Sequence, residues 1–239
     1  MISIIIPTLN EEKYLPLLLK SIARQKFKDY EIIVADANSK DRTPDIARQY
    51  GCTITSGGLP AKGRNEGAKA AKGDLLLFLD ADVILPQDFF KRTLLEFEER
   101  KINFGAFTLK PHPARKISGL FFDAFYNNQT TLFEKFFPHA AVAIIIKKEI
   151  FQKINGYDET LKLAEDHDLA KRAKKIARFE FLKSTTVFVS DRRFRKDGWS
   201  NTIAKYFFCE LYTALVGPIK SDILKYEFSH YDISPKDKI

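Results

Sequence analysis

Cysteine is scarce in this chain: Cys52 and Cys209 are the only two in 239 residues. One falls in an apparent strand and the other in an apolar helical stretch, which excludes a disulfide framework and fits reduced packing residues, so a cell-interior setting is expected. Long hydrophobic runs are also missing, and no stretch reaches the roughly 18 uncharged apolar residues that a spanning helix requires. The opening Met1-Ile2-Ser3-Ile4-Ile5-Ile6-Pro7 has no basic leader and no small-residue cleavage site, so it reads as the first strand of a fold, not as an export signal. Glycine is absent from the turn that follows, Pro7 to Glu12. A dinucleotide-binding fingerprint and a glycine-rich phosphate loop both need it there, so both are disfavoured.

An apolar fraction of 45% beside 29% charged residues is enough for a folded core and excludes global disorder. The length suits one well-buried domain with a C-terminal appendage, and is short for two independent domains. A net charge of +8 fits nucleic acid, an anionic membrane surface or a phosphorylated substrate, and does not choose among them.

Residues 2–6, 31–35 and 74–79 are strongly apolar runs, with Ser3, Glu31 and Asp74 their only polar members, of the kind that strands covered on both faces require. Helix-length segments lie between and after them, at 11–25 with Leu15, Leu18, Leu19 and Ile22 on one face, at 42–50, and at 61–71. That alternation predicts an α/β fold with a doubly wound, mostly parallel sheet. Further on, the pattern predicts a helix near 87–100, a strand near 104–110 and an aromatic-rich segment from Ile117 to Phe137. An apolar run from Ala140 to Ile146, a short helix, a turn at Asn155-Gly156-Tyr157-Asp158 and an amphipathic helix near 165–177 follow. In the tail, Phe207, Phe208, Leu211, Tyr212, Leu215 and Val216 recur at helical spacing, a face that either packs on the domain or lies on a bilayer.

In such sheets ligands bind beyond the carboxyl ends of the strands. Thr8, Asn10 and Glu11 follow the first run, Asp36 the second, and Asp80 and Asp82 the third. Carboxylates two apart on extended backbone point to the same side, where like charges conflict unless a cation intervenes. Oxygen-only ligands suit magnesium or manganese, although the same acids would also serve to cap the next helix. Glu165, Asp166, His167 and Asp168 open a helix that ends in Lys171, Arg172, Lys174 and Lys175, an order the helix dipole favours even without a function. The strongest basic cluster runs from Ser190 to Lys196.

Together, PTLNEEKYL, IIVADANSKD, GRNEGAKAAKGDLLLFLDADV and AEDHDL, in that order, resemble the GT-A glycosyltransferases of family 2. The resemblance implies a GT-A catalytic domain over 1–195, made of a nucleotide-binding half (1–100) and an acceptor-binding half (101–195), with a C-terminal helical appendage over 196–239. It implies inverting transfer of a sugar from a nucleoside-diphosphate sugar to an acceptor hydroxyl or phosphate, including a lipid-linked or cell-envelope glycan, with Mn2+ or Mg2+ as cofactor. Pro7, Thr8, Asn10 and Glu11 would form the first wall of the nucleotide pocket. Asp36 would read the base edge, with Ala37 and Asn38 standing where the family pattern has an acid and a glycine. Arg64 and Asn65 match the family's Arg-Asn pair, a fork for base or phosphate; the alternative is that Lys62, Arg64 and Lys69 form a solvated helix face.

Asp80-Ala81-Asp82 would meet the diphosphate, with Asp82 as direct metal ligand and Asp80 at the ribose or a metal-bound water. Asp166 matches the base that takes the acceptor's proton in inverting members. Glu165, Arg192 and Arg193 are candidates for contact with acceptor or phosphate, with a plain solvated loop as the alternative for the two arginines. His112, His139 and His167 receive no role. The implied partners are the donor and a glycan or lipid-linked acceptor. The tail and the aromatics Phe121, Phe122, Phe125, Phe133, Phe136 and Phe137 raise peripheral contact with an anionic membrane at its inner face; nucleic acid is disfavoured because the positive charge is spread over many segments. The competing readings are a sugar nucleotidyltransferase and a non-catalytic, basic membrane- or nucleic-acid-binding relative.

Overall fold

Runs this rich in apolar residues cannot face water on either side, and this chain places them in the middle of one eight-stranded sheet. The computed structural model describes residues 1–113, Phe122, Asn127, 140–198 and isolated positions between 201 and 219. In chain order the elements are β1 (Ile2–Thr8), α1 (Leu15–Ala23), β2 (Tyr30–Asp36), α2 (Thr43–Gln49), β3 (Thr53–Ser56), α3 (Pro60–Ala70), β4 (Leu75–Leu79) and β5 (Val83–Ile84). There follow α4 (Phe89–Glu99), β6 (Phe104–His112), β7 (Ala143–Lys147), α5 (Lys148–Lys153), α6 (Glu165–Ala173), β8 (Phe179–Ser190) and α7 (Arg192–Asp197). The strand order is β3-β2-β1-β4-β7-β6-β8-β5.

The first four strands of that order run parallel. β7 is antiparallel to both β4 and β6, β8 is parallel to β6, and the short β5 is antiparallel to β8 at the edge. The expected mostly parallel sheet is therefore present, with β7 and β5 reversed. One consequence is curvature. Neighbouring strands lie about 4.8 Å apart, so a flat sheet would put β5 roughly 19 Å from β4. Four residue steps from Leu79 to Val83 reach only about 14 Å. The sheet must roll, and Asp80-Ala81-Asp82 is the link drawn across its open end.

Both faces of the sheet are covered. Ile4, Ile6, Val34 and Leu77 meet Leu15, Leu18, Leu19 and Ile22 of α1 and Phe89, Phe90 and Phe97 of α4. Ile5, Ile33, Leu76 and Phe78 meet Ala61 and Ala68 of α3, Ile150 and Phe151 of α5, and Leu169 and Ala170 of α6. Both layers draw residues from either side of position 100. Helix α1 starts four residues later than its apolar spacing suggests, because Asn10 is left-handed (φ +54°) and the Tyr14 and Leu15 N–H groups both turn back to the Glu11 carbonyl.

Phe122 is core, packed edge-on against Phe194 at 5.7 Å. The other aromatics of its segment, His139, and most of the tail, including Phe207, Leu211, Leu215 and Val216, lie outside the described residues. Ile219 is buried and bridges to Leu163, and its carbonyl accepts from the Lys162 N–H at 3.0 Å, so the tail touches the domain there. No described helix is long and apolar enough to cross a membrane.

Helix α3 lies close against β1 through two glycines one turn apart. A Cβ at Gly63 would stand 3.3 Å from Pro7 Cβ, and one at Gly67 would stand 2.4 Å from Ile5 Cγ2. This approach fixes the depth at which Arg64 enters the protein. Gly67→Ala is expected to lower stability by about 1–3 kcal/mol through overpacking, despite alanine's better helix propensity. Urea denaturation checks this against Lys69→Ala on the exposed face, which should change stability by less than about 0.5 kcal/mol.

Candidate active site

The loops after β1 and β2 are tied together by one carboxylate. Asp36 Oδ1 accepts from Thr8 Oγ1 at 3.0 Å and from Ser39 Oγ at 2.6 Å, while Oδ2 accepts from the Ser39 N–H at 2.9 Å. The Asn10 N–H donates to Ser39 Oγ, and Asn10 Oδ1 accepts from the Lys40 N–H, both at 2.8 Å. Asn38 occupies the glycine position of the motif with φ +64°, a conformation that asparagine tolerates. Pro7, Thr8, Asn10 and Asp36 therefore share one end of the sheet, as expected, with Asp36 already engaged as the organiser of that loop.

The centre of the site is Arg64, whose side chain is only 5% exposed. Nη1 donates to Glu165 Oε1 at 2.6 Å and Nη2 to Asp80 Oδ1 at 2.8 Å. Asp166 Oδ1 lies 3.6 Å from Nη1, and the Tyr157 ring lies 5.4 Å from the guanidinium carbon. One cation thus serves three carboxylates, and Asp166 is the one left outside hydrogen-bond distance.

The charges follow from this geometry. Burial opposes the charge on Arg64, but Asp166, then Tyr157, Asp80 and Glu165, outweigh it and hold the guanidinium protonated. Burial pushes the Asp166 carboxyl up to about 7; Arg64 pulls the other way, and Glu165 and Asp80 push it further up. Asp80 is also raised, first by burial and then by Asp82, against the pull of Arg64. Its side chain is 35% exposed, so water screens much of that push. The Tyr157 hydroxyl is raised well above its usual value by burial and by Asp166. Tyr157 Oη and Asp166 Oδ1 are both buried without a partner at ideal hydrogen-bond geometry.

A second arginine holds the other acid. Arg192 Nη1 and Nη2 donate to the two oxygens of Glu11 at 2.9 and 2.8 Å, and its Nε lies 3.0 Å from Asp82 Oδ2. The ring of Tyr14 lies 4.5 Å below the guanidinium. α7 reaches this place because the Ser190 N–H at the end of β8 donates to the Asp82 carbonyl at 3.0 Å. Arg193 is its neighbour on α7.

Three residues stand differently from the expectation. Asn65 directs its amide away from the cleft: Nδ2 donates to the Tyr157 carbonyl and to Glu159, and Oδ1 accepts from the Tyr157 N–H. It clamps the turn that carries Tyr157. The Ala81 side chain is buried in the core. Glu165 turns one carboxylate oxygen, Oε1, to Arg64.

Tyr157 and Tyr14 are the contacts that sequence reasoning missed. The Asn155-Gly156 pair marks the turn before Tyr157, but nothing in the spacing shows which side chain the turn buries. Two strained positions also flank the site. Val142 has φ +66°, unusual for a β-branched residue, and its carbonyl accepts from the Asp80 N–H at 2.9 Å. Ala164, at φ +59°, turns the chain into α6 so that Glu165 and Asp166 open it.

The donor set fits a hard divalent cation. Asp80 Oδ2 and Asp82 Oδ1 have no partner among the described residues and are not sealed from solvent. No group of three or more His, Cys, Asp or Glu side chains gathers at metal distance among the described residues. A cation here would take its remaining ligands from water and phosphate oxygens, as magnesium commonly does.

Proton linkage gives a direct check on the buried acid. Between about pH 4 and about pH 7 the unfolded chain has released the Asp166 proton while the folded protein keeps it, so this residue's contribution to stability falls as pH rises through that window. Asp166→Asn removes the effect. The thermal midpoint of the variant relative to the parent should therefore rise from pH 5 to pH 8, by at least about 3 °C.

Comparison with known proteins identifies the family and the fold. The model of the family "Glycosyl transferase family 2" matches residues 3–154. An uncharacterized glycosyltransferase of Haemophilus influenzae is 30% identical over 187 residues, covering 70% of this chain and 60% of that protein. TarS of Staphylococcus aureus, a poly(ribitol-phosphate) beta-N-acetylglucosaminyltransferase, is 36% identical over 99 residues, 37% of this chain and 17% of TarS. The crystal structure of TarS 1-349 with UDP-GlcNAc superposes with a TM-score of 0.64 at 25% identity, covering 79% of this chain and 58% of that one. A mannosyltransferase from Pyrobaculum calidifontis, solved with GDP-Man and Mn2+, shares the fold with a TM-score of 0.68 at 19% identity, over 90% of this chain and 70% of that one. The chain thus spans 60% or less of the curated relatives' own lengths. With the family model covering well over half of its residues, the chain belongs to glycosyltransferase family 2 and has the GT-A fold.

Proposed function

We propose that this chain is an inverting glycosyltransferase that moves one sugar from a nucleoside-diphosphate donor to an acceptor hydroxyl. The observation that carries this reading is Asp166: a buried carboxyl, raised to about 7, sharing the cation of Arg64 with Asp80. A base works best when its proton affinity lies near the working pH. Its inner oxygen is held near Arg64, and Oδ2 is the oxygen left to take the proton.

The acceptor oxygen attacks the anomeric carbon while its proton passes to Asp166. The bond from that carbon to the diphosphate oxygen breaks with its electron pair, and the nucleoside diphosphate departs from the opposite face. Configuration inverts and no covalent enzyme intermediate forms. A divalent cation at Asp82, with Asp80 beside it, would neutralise charge on the departing diphosphate. Pro7, Thr8, Asn10 and the loop organised by Asp36 wall the nucleotide. The similarity to TarS, a poly(ribitol-phosphate) beta-N-acetylglucosaminyltransferase, supports a cell-envelope glycan as acceptor and UDP-GlcNAc as the first donor to test, with GDP-Man as a second.

Calorimetry with each donor and Mn2+, followed by transfer assays on the donor that binds, tests the assignment. Asp82→Asn should lose the metal-dependent part of donor binding. Asp166→Asn should bind donor within about threefold of the parent and transfer at least about 100-fold more slowly. In the parent, the rate should climb with pH to a plateau above about 7, as Asp166 loses its proton. Transfer by Asp166→Asn at the parent's rate, or a product of retained configuration, would refute the mechanism.

A further inference from the structure

The two arginines that hold Asp80 and Asp82 are not equivalent. Arg64 is enclosed, with its side chain 5% exposed, whereas Arg192 is 20% exposed and sits on the six-residue α7. Arg192 places a positive charge against both Glu11 and Asp82. Asp82 is also the residue read above as the direct ligand of a divalent cation. That cation brings two positive charges toward the guanidinium, and the two cannot both keep Asp82 at contact distance without strong repulsion. A diphosphate brings the reverse: a compact set of negative oxygens well suited to an arginine fork. The stack on Tyr14 does not depend on either acid, so it gives the side chain a resting surface while the fork changes partners.

We propose that Arg192 is the resident counter-ion of the donor site, which occupies Asp82 in the donor-free protein and passes to the diphosphate when cation and donor bind. This rests on the reading of Asp82 as a cation ligand. The exchange makes the site respond to the pair. A cation alone must displace Arg192 and binds weakly, whereas a nucleoside diphosphate draws Arg192 away and admits the cation. The basic cluster after β8 thereby acts on donor loading, through one of its residues.

The test is Mn2+ binding to the full chain, followed by the electron paramagnetic resonance signal of free Mn2+, first alone and then with UDP. Arg192→Gln should bind Mn2+ alone about tenfold more tightly than the parent, because its competitor is gone. UDP should then improve Mn2+ affinity less in the variant than in the parent. Arg192→Met keeps the apolar stem over Tyr14 and should show the same gain, which covers the case of a glutamine variant that melts early. Arg192→Lys keeps the charge and should stay within about threefold of the parent. Unchanged or weaker Mn2+ binding in folded Arg192→Gln or Arg192→Met overturns the exchange while leaving the cation site in place. If Asp82→Asn leaves Mn2+ binding with UDP intact, the cation assignment itself falls and the exchange falls with it.

Discussion

A single buried guanidinium with more carboxylates around it than it can satisfy governs this site. Arg64 needs partners because a charge taken out of water is costly unless it is paired. It has three acids, bonds two of them closely, and leaves Asp166 at 3.6 Å. The proton affinity of Asp166 is the outcome of that competition, since burial raises it and the attraction of Arg64 offsets only part of the rise. Glu165 is thus more than a neighbour in the motif: by binding Arg64 it leaves Asp166 with the weaker contact. The glycines of α3 and the turn clamped by Asn65 act on the same point, by setting the depth of Arg64 and the position of Tyr157 beside it.

The geometry depends equally on the rolled sheet. The Asp80-Ala81-Asp82 link joins a central strand to the far edge, so its two acids face different partners: Arg64 from α3 on one side and Arg192 after β8 on the other. Ala81 anchors the link in the core between them. Around this span the backbone takes uncommon conformations at Asn10, Asn38, Val142 and Ala164. Each costs some stability and each sets a polar group at the cleft, as expected where function and packing compete.

Much of this was legible in the sequence, for identifiable reasons. Short, β-branched or apolar runs such as Ile2–Ile6 and Leu75–Leu79 suit central strands, and acids at their ends mark the site. The direction of β7 was not legible, because Ala143–Lys147 has the same composition as a parallel strand and only its partners fix its sense. β5 is two residues long, too short for any period to show. Among the site residues, Asp80, Asp82, Asp166 and Arg64 carry charge and could be picked out. Asn65 and Tyr157 could not be separated by residue type from ordinary surface and core positions. Their roles come from a contact across 92 residues of chain.

The measurement that bears most directly on the shared-cation account is a carbon-13 NMR titration of the Asp166 carboxyl, assigned by comparison with Asp166→Asn. A midpoint near 7 in the parent, moving upward in Arg64→Gln as the attracting charge is lost, is the predicted result. A midpoint near 4, the ordinary value for an aspartate, or one that Arg64→Gln leaves in place, would contradict it.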